Sequence, residues 1–366
     1  MAAKKTVKKI KVHRVRKVLH VGIDLVKAPW TGTLVKAMPI NVENHGPHTD
    51  DSTASVLQLY RPEFPRLQER AGPGPMNRMA RVMRNYELVI THGDRAFPAA
   101  MGHTLFGQAL NLPPLVHYYH RVGEVPKGWW TRFRHRLGLA RTPLVIVPTE
   151  AAARSVTADW NVPGQRIRIL PPVFPKPKGG ANIPRLMKRD GEKWLGLCAA
   201  DAIAYLDQIV SAMIEMDNAW HMVVFGSAEE TNHVRAAFDA KDIVDRLHVT
   251  DRFHGPGAVA ALFDLALLDG SDGHIPSDMP ALMAAGVPVI ALAPDGLGEL
   301  LPEESRSMRI SPGADLASRL YELAQDDGLL TRSGKANAAF ADRHNDPAPH
   351  LSALAQVLGL MSLQDR

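Results

Sequence analysis

The feature that most limits the fold is a repeated alternation of short apolar runs with helical segments. The stretches "KVLHVGID" (17–24), "YELVITHGD" (86–94) and "TPLVIVPTE" (142–150) each place a buried strand before a loop or a helix. The last stretch also predicts a helix capped by Thr149, with Glu150 favourable in its first turn. This alternation indicates βαβ units, and therefore parallel sheets covered by helices.

A change of composition divides the chain in two. The segment "PPVFPKPKGGANIP" (171–184) is crowded with Pro and Gly without periodicity, and strand–helix alternation resumes at Lys193. We predict a basic tail over 1–16, a first Rossmann-like domain over 17–170 that is completed by the C-terminal helix 345–366, a linker over 171–192, and a second Rossmann-like domain over 193–344. The fold class is α/β, with two doubly wound parallel-sheet domains facing across a cleft. Ligands of such sheets bind at the carboxyl ends of the strands, so the cleft is the predicted site.

Composition limits the environment of the chain. Its 366 residues are 45% hydrophobic and 22% charged, which is typical of globular proteins. The single cysteine, Cys198, excludes an intrachain disulfide and indicates a reducing compartment, and we interpret it as a small buried hydrophobe. No apolar run approaches the ~20 residues of a membrane span, and the N-terminus lacks the apolar region of a signal peptide. We expect a cytoplasmic protein.

The positive charge is local. Eight Lys and Arg side chains and no acid precede Asp24, so the overall charge of +5 becomes −3 without them. Three interpretations stay open for this tail: a solvated segment, a contact with an anionic membrane surface, and a nonspecific contact with nucleic acid. No aromatic interleaving or nucleic-acid motif supports a specific nucleic-acid partner. A membrane contact would place the protein peripherally on the inner membrane face.

Four stretches carry a family resemblance. They are "LVIVPTEAAARSVTADWNVPGQRIRILPPV" (144–173), "RLHVTDRFHGPGAVAALFDLALL" (246–268), "MAAGVPVIA" (283–291) and "GLGELL" (296–301). In this order they resemble the GT-B glycosyltransferases of the retaining family-four type, also called glycosyl transferases group 1. The resemblance covers about residues 140 to 340, and the first domain matches only by pattern, in "ELVITHG" and "PLVHYYH".

The resemblance implies a GT-B fold and an enzyme that moves a sugar from a nucleotide-sugar donor to a glycan or lipid-linked acceptor of the cell envelope. It implies no metal and no other cofactor. His120 corresponds to the histidine of the first domain that contacts the donor sugar, and Gly22 and His92 correspond to the acceptor side. The implied donor-binding residues are Gly226, Ser227, His254, Asp272, His274, Gly298 and Glu299.

The sequence departs from this family at charged positions. Two glutamates that bracket the donor loop in the family correspond here to Gly273 and Ala281, and Asp272 or Asp278 are the nearest acids. The loop that supplies an Arg and a Lys to the diphosphate is "CAADAIAYLD", with Asp201 and no cation. Each lost hydrogen bond to a charged group costs about 1.5–3 kcal/mol.

These departures define a second hypothesis. A glycosyltransferase-like protein that has lost catalysis could act as a binding or regulatory partner, since a fold does not fix a function. The first hypothesis instead requires replacement cations, for which the candidates are His221, Arg252, His254 and His274. If these side chains converge with Asp272 on one pocket, the donor site has been rebuilt.

Overall fold

The computed structural model describes residues 16–48, 53–67, 71–123, 128–176, 186–251, 257, 259–293, 295–311 and 313–359. The basic tail up to residue 15 and two candidate cations, Arg252 and His254, lie outside the described residues. None of the helices in these ranges combines the length and apolarity that crossing a membrane requires.

The first domain is built on a six-stranded parallel sheet with the order β2-β1-β3-β4-β5-β6. The strands are β1 (Arg16–Val21), β2 (Val42–His45), β3 (Leu88–His92), β4 (Leu115–Tyr118), β5 (Leu144–Val147) and β6 (Ile167–Ile169). The helices are α1 (Trp30–Lys36), α2 (Pro73–Met83), α3 (Phe97–Leu110), α4 (Trp129–Leu139) and α5 (Glu150–Trp160). The predicted cap of α5 is confirmed, because the Thr149 hydroxyl accepts a hydrogen bond from the Ala152 N–H at 3.1 Å.

The second domain repeats the plan with the strand order β12-β11-β10-β7-β8-β9, again all parallel. Its strands are β7 (Lys193–Cys198), β8 (Trp220–Gly226), β9 (Leu247–Asp251), β10 (Leu265–Asp269), β11 (Val289–Leu292) and β12 (Arg309–Ile310). Its helices are α6 (Ala199–Ala204), α7 (Leu206–Glu215), α8 (Ala228–Asp239), α9 (Met279–Ala284), α10 (Asp295–Gly298), α11 (Leu316–Gln325) and α12 (Asp327–Arg343), and α13 (Ala348–Val357) ends the described chain. The predicted class of two doubly wound parallel-sheet domains is confirmed.

Local details differ from the sequence interpretation. The apolar stretch 203–216 has a helical pattern, but the helix is broken at Tyr205 into α6 and α7, and only a single 3-10 turn, Ala260–Leu262, precedes β10. Strand β2 was not predicted, because it is four residues long and only its last residue is buried. Apolar periodicity carries little signal in such short elements.

The last helix returns to the first domain. Ala353 and Leu354 of α13 pack in one apolar cluster with Val18 of β1 and Leu88 of β3. A hydrogen bond also holds this helix in place, because the His350 Nε2–H donates to the Pro171 carbonyl at 2.9 Å. The chain therefore crosses between the domains twice, and residues near both crossings border the cleft.

Candidate functional site

The cleft holds a cavity where the carboxyl ends of β1, β3 and β4 face the loop after β10. Its volume is about 200 Å³. Its lining includes Gly22, Lys27, His92, Asp94, Arg95, His120 and His274. Four of the residues predicted from the sequence are therefore brought together here, namely Gly22, His92, His120 and His274.

A chain of three histidines leads from the sheet of the first domain into this cavity. His20 Nε2 lies 3.0 Å from Asn44 Oδ1, which can only accept a hydrogen bond, so Nε2 carries the proton. His20 Nδ1 then accepts from His92 Nε2 at 3.1 Å. His92 Nδ1 in turn accepts from His120 Nε2 at 3.4 Å. One side-chain oxygen thus fixes the tautomers of all three rings, and His120 keeps its Nδ1 lone pair as an acceptor.

Burial keeps these imidazoles neutral. It lowers the pKa of His20 and of His120 to about 4, and it moves the pKa of His92 well below its usual value. The neighbouring imidazoles add to the effect at His92. At neutral pH His120 therefore offers the cavity a neutral hydrogen-bond acceptor and not a positive charge.

Gly22 is required by the close approach of two strands. Its φ is +80°, and a Cβ at this position would lie 2.9 Å from the His92 carbonyl oxygen and 3.0 Å from Ala96 Cβ. Both the backbone conformation and the space exclude a side chain. The absence of a side chain lets the loop after β1 pack directly against the end of β3.

Arg121 connects the two domains at the cavity. Its guanidinium donates to the Asp272 carbonyl, and the adjacent Val122 N–H donates to the Gly273 carbonyl at 2.9 Å. Arg121 and His274 also form an isolated antiparallel bridge. The exit of β4 and the loop after β10 therefore meet through backbone as well as side-chain contacts.

His274 and Asp272 form a pair that faces this arginine. His274 Nδ1 lies 2.9 Å from Asp272 Oδ2 and donates to it, which leaves Nε2 to accept from Arg121 Nη1 at 3.4 Å. Burial by itself raises the pKa of Asp272, but the hydrogen bonds and charge of His274 and the charge of Arg121 bring it below its usual value. Asp272 is therefore ionised, and Arg121 of the first domain supplies the compensating positive charge.

Glu299 lies outside the lining of the cavity and contacts the first domain. Its carboxylate accepts from the backbone N–H groups of Glu150 at 2.6 Å and Ala151 at 3.1 Å, and Arg154 lies at 3.4 Å. It thus caps α5 of the other domain, where the helix dipole favours negative charge. Its expected donor-binding role stays a prediction, and the structure gives the carboxylate an interdomain contact.

Three more of the expected donor-binding residues, Gly226, Ser227 and Gly298, lie outside the lining of the cavity. Gly226 packs so closely that a Cβ would come within 2.4 Å of Ala199 Cβ. Ser227 is the cap of α8, and its hydroxyl and that helix's Glu230 form a reciprocal capping box. Gly298 lies against the Arg309 side chain. Their expected role in donor binding stays a prediction.

Buried acids lie at the carboxyl edge of the second sheet. Asp201 at the start of α6 is largely buried, which raises its pKa to about 7, and its Oδ2 accepts from the Asp269 N–H at 3.3 Å. Burial also raises the pKa of Asp278, which accepts from the Gly257 N–H at 3.1 Å. A diphosphate at this edge of the sheet would meet carboxyl groups where the related family has cations.

Of the four candidate replacement cations, the structure describes His221 and His274, and these two lie far apart. His221 is the second residue of β8, at the amino end of the sheet, and its ring contacts His248 of β9. The cleft lies at the carboxyl ends, so His221 is on the wrong side of the domain to hold a donor. His274 alone among the described candidates reaches the cavity.

Sequence reasoning missed His20, Asn44 and Arg121. Arg121 follows His120 directly in "YYHRVGE", so its place beside the cleft could have been inferred. His20 and Asn44 gave no such signal, because parallel pairing of β1 with β2 and β3 creates their contact.

The two facing Rossmann-like domains, the helix that returns to the first domain and the site in the cleft define the class: the chain has the GT-B fold of glycosyltransferases. Residues 42–174 match the model of Glycosyltransferase Family 4. The match falls on the first domain, where the sequence showed only a pattern, and it confirms the GT-B glycosyltransferase resemblance. Comparison with curated proteins gives no match.

Solved structures share the fold at low identity. HepE of Anabaena in complex with UDP has a TM-score of 0.70 at 12% identity, over 94% of this chain and 100% of that one. The lipopolysaccharide outer core galactosyltransferase WaaB has a TM-score of 0.65 at 10% identity, over 93% and 99%. A UDP-N-acetylglucosamine 2-epimerase also matches, with a TM-score of 0.63 at 14% identity, over 95% and 98%. At such identities the likeness shows the fold alone.

Proposed function

We propose that this chain transfers a sugar from a nucleotide-sugar donor, with retention at the anomeric carbon, to a glycan or lipid-linked acceptor of the cell envelope. The observation that carries the proposal is the cavity between the two GT-B domains, which His120, Gly22 and His274 line together. HepE is described in complex with UDP-glucose, and WaaB as a galactosyltransferase of lipopolysaccharide, which supports this class of donor and acceptor.

His120 is suited to hold the sugar. Its neutral ring is fixed by the chain through His92 to His20, and its Nδ1 accepts a hydrogen bond from a sugar hydroxyl. Gly22 lines the cavity beside this histidine. An oxocarbenium-like transition state gains from such fixed, preorganised dipoles.

We propose that cations of the first domain supply positive charge to the leaving diphosphate. Lys27 and Arg95 line the cavity, and Arg121 lies at its edge with a charge only partly offset by Asp94 at 4.0 Å. We propose that the transfer proceeds without a metal ion in the cleft, so these cations stabilise the departing phosphate oxygens electrostatically. They would take the place of the Arg and Lys that the related family has in the loop corresponding to residues 198–207.

A second candidate function follows from the buried acids at the carboxyl edge of the second sheet. Asp201 and Asp278 occupy the edge of the sheet that holds the diphosphate in the related family, and Ala281 cannot hold a ribose as a glutamate does. These residues favour a GT-B protein that has lost catalysis and acts as a binding or regulatory partner. The two candidates differ in whether a nucleotide binds.

The deciding experiment is calorimetric titration of the purified full chain with UDP, GDP, ADP and their common sugar forms at moderate salt. Micromolar, salt-tolerant binding of one nucleotide supports the transferase. His120→Ala should then weaken binding of the nucleotide sugar and leave that of the bare nucleotide unchanged, because the ring contacts the sugar. If no nucleotide binds at millimolar concentration, the transferase proposal is contradicted, and the second candidate function, a binding or regulatory role without catalysis, is favoured.

An anionic membrane surface is the proposed second partner, and it would place the protein on the cytoplasmic face of a membrane. Helix α4 exposes three neighbouring aromatic side chains, Trp129 at 76% exposure together with Trp130 and Phe133. Arg132, Arg134 and Arg136 follow on the same helix. Aromatic rings beside arginines are typical of surfaces that lie in the headgroup region. A lipid-linked acceptor would be reached from such a position.

A further inference from the structure

Three potential metal ligands meet at the amino end of the second sheet. They are Glu192 just before β7, His221 in β8 and His248 in β9, and each offers one ligand atom within 4.8 Å of the others. His221 Nδ1 lies 3.2 Å from His248 Nε2, and His221 Nε2 lies 3.9 Å from Glu192 Oε1. We propose that these residues bind a divalent transition-metal ion of the zinc type, remote from the cleft.

The distances suit such an ion. Zinc binds imidazole nitrogen at about 2.0–2.1 Å and carboxylate oxygen at about 2.0–2.2 Å, so two ligands of one ion lie at most about 4.2 Å apart. His221 faces His248 with Nδ1 and Glu192 with Nε2, and a single ion would use one of these two nitrogens. With one ligand atom taken from each residue, the three atoms lie within 4.8 Å of one another. The widest pair needs to close by less than about 1 Å, which small side-chain rotations provide. Two histidines and one carboxylate, with water as the fourth ligand, form a set that zinc accepts.

The carboxylate is held by partners outside the ligand set. Glu192 Oε2 accepts from the Trp194 indole N–H at 2.9 Å and from the Arg189 backbone N–H at 3.1 Å. These bonds orient Oε1 toward His221. Such outer hydrogen bonds are the usual means by which a protein fixes a metal-binding carboxylate.

The sheet register explains why these ligands meet. In parallel pairing Trp194 lies opposite His221, and Val223 lies opposite His248. Side chains two residues apart on a strand share a face, so His221, Val223 and His248 lie on one side of the sheet. His248 and Trp194 also pack ring to ring, with centroids 5.2 Å apart. The two histidines are 27 positions apart in the sequence, so no ligand spacing reveals them.

A bound ion would compete with the Arg189 guanidinium for the Glu192 carboxylate. Arg189 Nε lies 3.9 Å from Glu192 Oε1, but its side chain is 86% exposed. An exposed pair of this kind contributes little free energy, so the guanidinium can leave for solvent. The Glu192 side chain is only 9% exposed and that of His221 only 14%, which shields a bound ion from water. The ion would tie the segment that enters the second domain to β8 and β9.

The test uses the full chain without a histidine tag, freed of metal by a chelator and then dialysed. Calorimetric titration with Zn²⁺ should show one equivalent bound, and Zn²⁺ should raise the melting temperature. His248→Asn and Glu192→Gln should each weaken binding by about tenfold or more. Because the chain contains 16 histidines, the matched control is His233→Asn, an exposed histidine on α8 that should change nothing.

Two outcomes would overturn the proposal. Either the variants bind Zn²⁺ as tightly as the parent chain, or the parent binds no stoichiometric Zn²⁺ and gains no thermal stability. In both cases the cluster is a hydrogen-bonded group in which the histidines pair with Glu192. Circular dichroism of each variant establishes that it is folded, and Co²⁺ absorption of the parent chain reports the ligand geometry independently.

Discussion

Glu299 of the second domain caps helix α5 of the first domain, accepting the Glu150 N–H at 2.6 Å. The helix therefore depends on a residue from the other domain for two of its unpaired donors, the N–H groups of Glu150 and Ala151, in addition to its own Thr149 cap. We predict that Glu299→Ala lowers the free energy of unfolding by about 0.5–2 kcal/mol, as the loss of a capping group does. Thermal and urea unfolding measure the effect.

The control for this change is Glu303→Ala, an exposed carboxylate on the same domain, at the start of a 3-10 helix. Equal stability of the two variants would show that the Glu299 contact contributes nothing. A further reading comes from limited proteolysis between the domains, which should become faster in Glu299→Ala only.

The histidine chain makes stability depend on pH. The pKa of His20 and that of His120 fall to about 4 in the folded protein, against 6.5 in the unfolded chain. Between these values the unfolded chain binds more protons, so the stability contribution is present above pH 6.5 and is lost as the pH falls toward 4. The slope is up to about 1.4 kcal/mol per pH unit for each histidine.

Urea unfolding at several pH values between 4 and 7 tests this dependence. His120→Gln should flatten the slope, whereas His233→Gln on the surface should keep it. A slope in His120→Gln equal to that of the parent chain would show that this imidazole already takes up its proton in the folded state.

Asp201 should act in the opposite direction. Burial raises its pKa to about 7, from 3.8, so the folded state holds the proton longer and stability falls as the pH rises from 4 toward 7. Asp201→Asn keeps an acceptor for the Asp269 N–H and removes this cost. We expect it to be more stable near pH 8 by about 1 kcal/mol or more.

The same substitution removes a negative charge from the carboxyl edge of the second sheet. Under the transferase proposal it should also tighten nucleotide binding, which calorimetry measures. Asp207→Asn on the exposed face of α7 is the matched control. If Asp201→Asn is no more stable than this control at pH 8, the carboxyl is ionised in the folded protein without penalty.

The sequence predicted the fold well where the signal is local, that is, where a residue's role depends only on its neighbours in the sequence. Thr149 is a cap wherever a helix follows it, and the apolar runs that became β5 and β8 are buried in any parallel sheet. The site was harder, because its contacts depend on strand register and on how the two domains face. The His20–His92 contact spans 72 positions and the Glu299–Glu150 contact 149, and no local pattern encodes either.

Gly22→Ala should damage both the fold and the cavity. Gly22 has a φ of +80°, and a Cβ added there would lie 2.9 Å from the His92 carbonyl oxygen. Gly191 has a similar φ of +85°, but a Cβ added there would have no neighbour within 4 Å. The left-handed backbone destabilises each alanine variant by about 1 kcal/mol, but only the alanine at position 22 also collides with the His92 carbonyl oxygen. We therefore expect Gly22→Ala to be clearly less stable than Gly191→Ala in thermal unfolding.

Ligand binding by folded Gly22→Ala gives a second reading. It should bind the nucleotide sugar more weakly, because the shifted loop narrows the cavity, while Gly191→Ala binds as the parent chain does. Equal losses of stability in both variants would assign the whole cost to the backbone conformation and none to the contact with His92.

The exposed aromatic face of α4 should bind anionic lipid. Trp129 and Trp130 lie with ring centroids 5.1 Å apart, and Phe133 stacks on Trp130 at 5.6 Å. Burying such rings in the headgroup region stabilises attachment by about 1.5–3 kcal/mol each at most. We predict that the full chain sediments with vesicles containing phosphatidylglycerol, and that Trp129→Ser with Trp130→Ser weakens this by at least about tenfold.

The matched control is Ile214→Ser, which removes an exposed apolar side chain, 50% exposed, from the second domain. The basic N-terminal residues contribute a charge term that salt screens, whereas the aromatic contribution should persist at high salt. Binding that disappears in high salt and is unchanged by the tryptophan substitutions would assign attachment to charge alone. In that case α4 is a solvent-facing surface, and the acceptor reaches the cleft from solution.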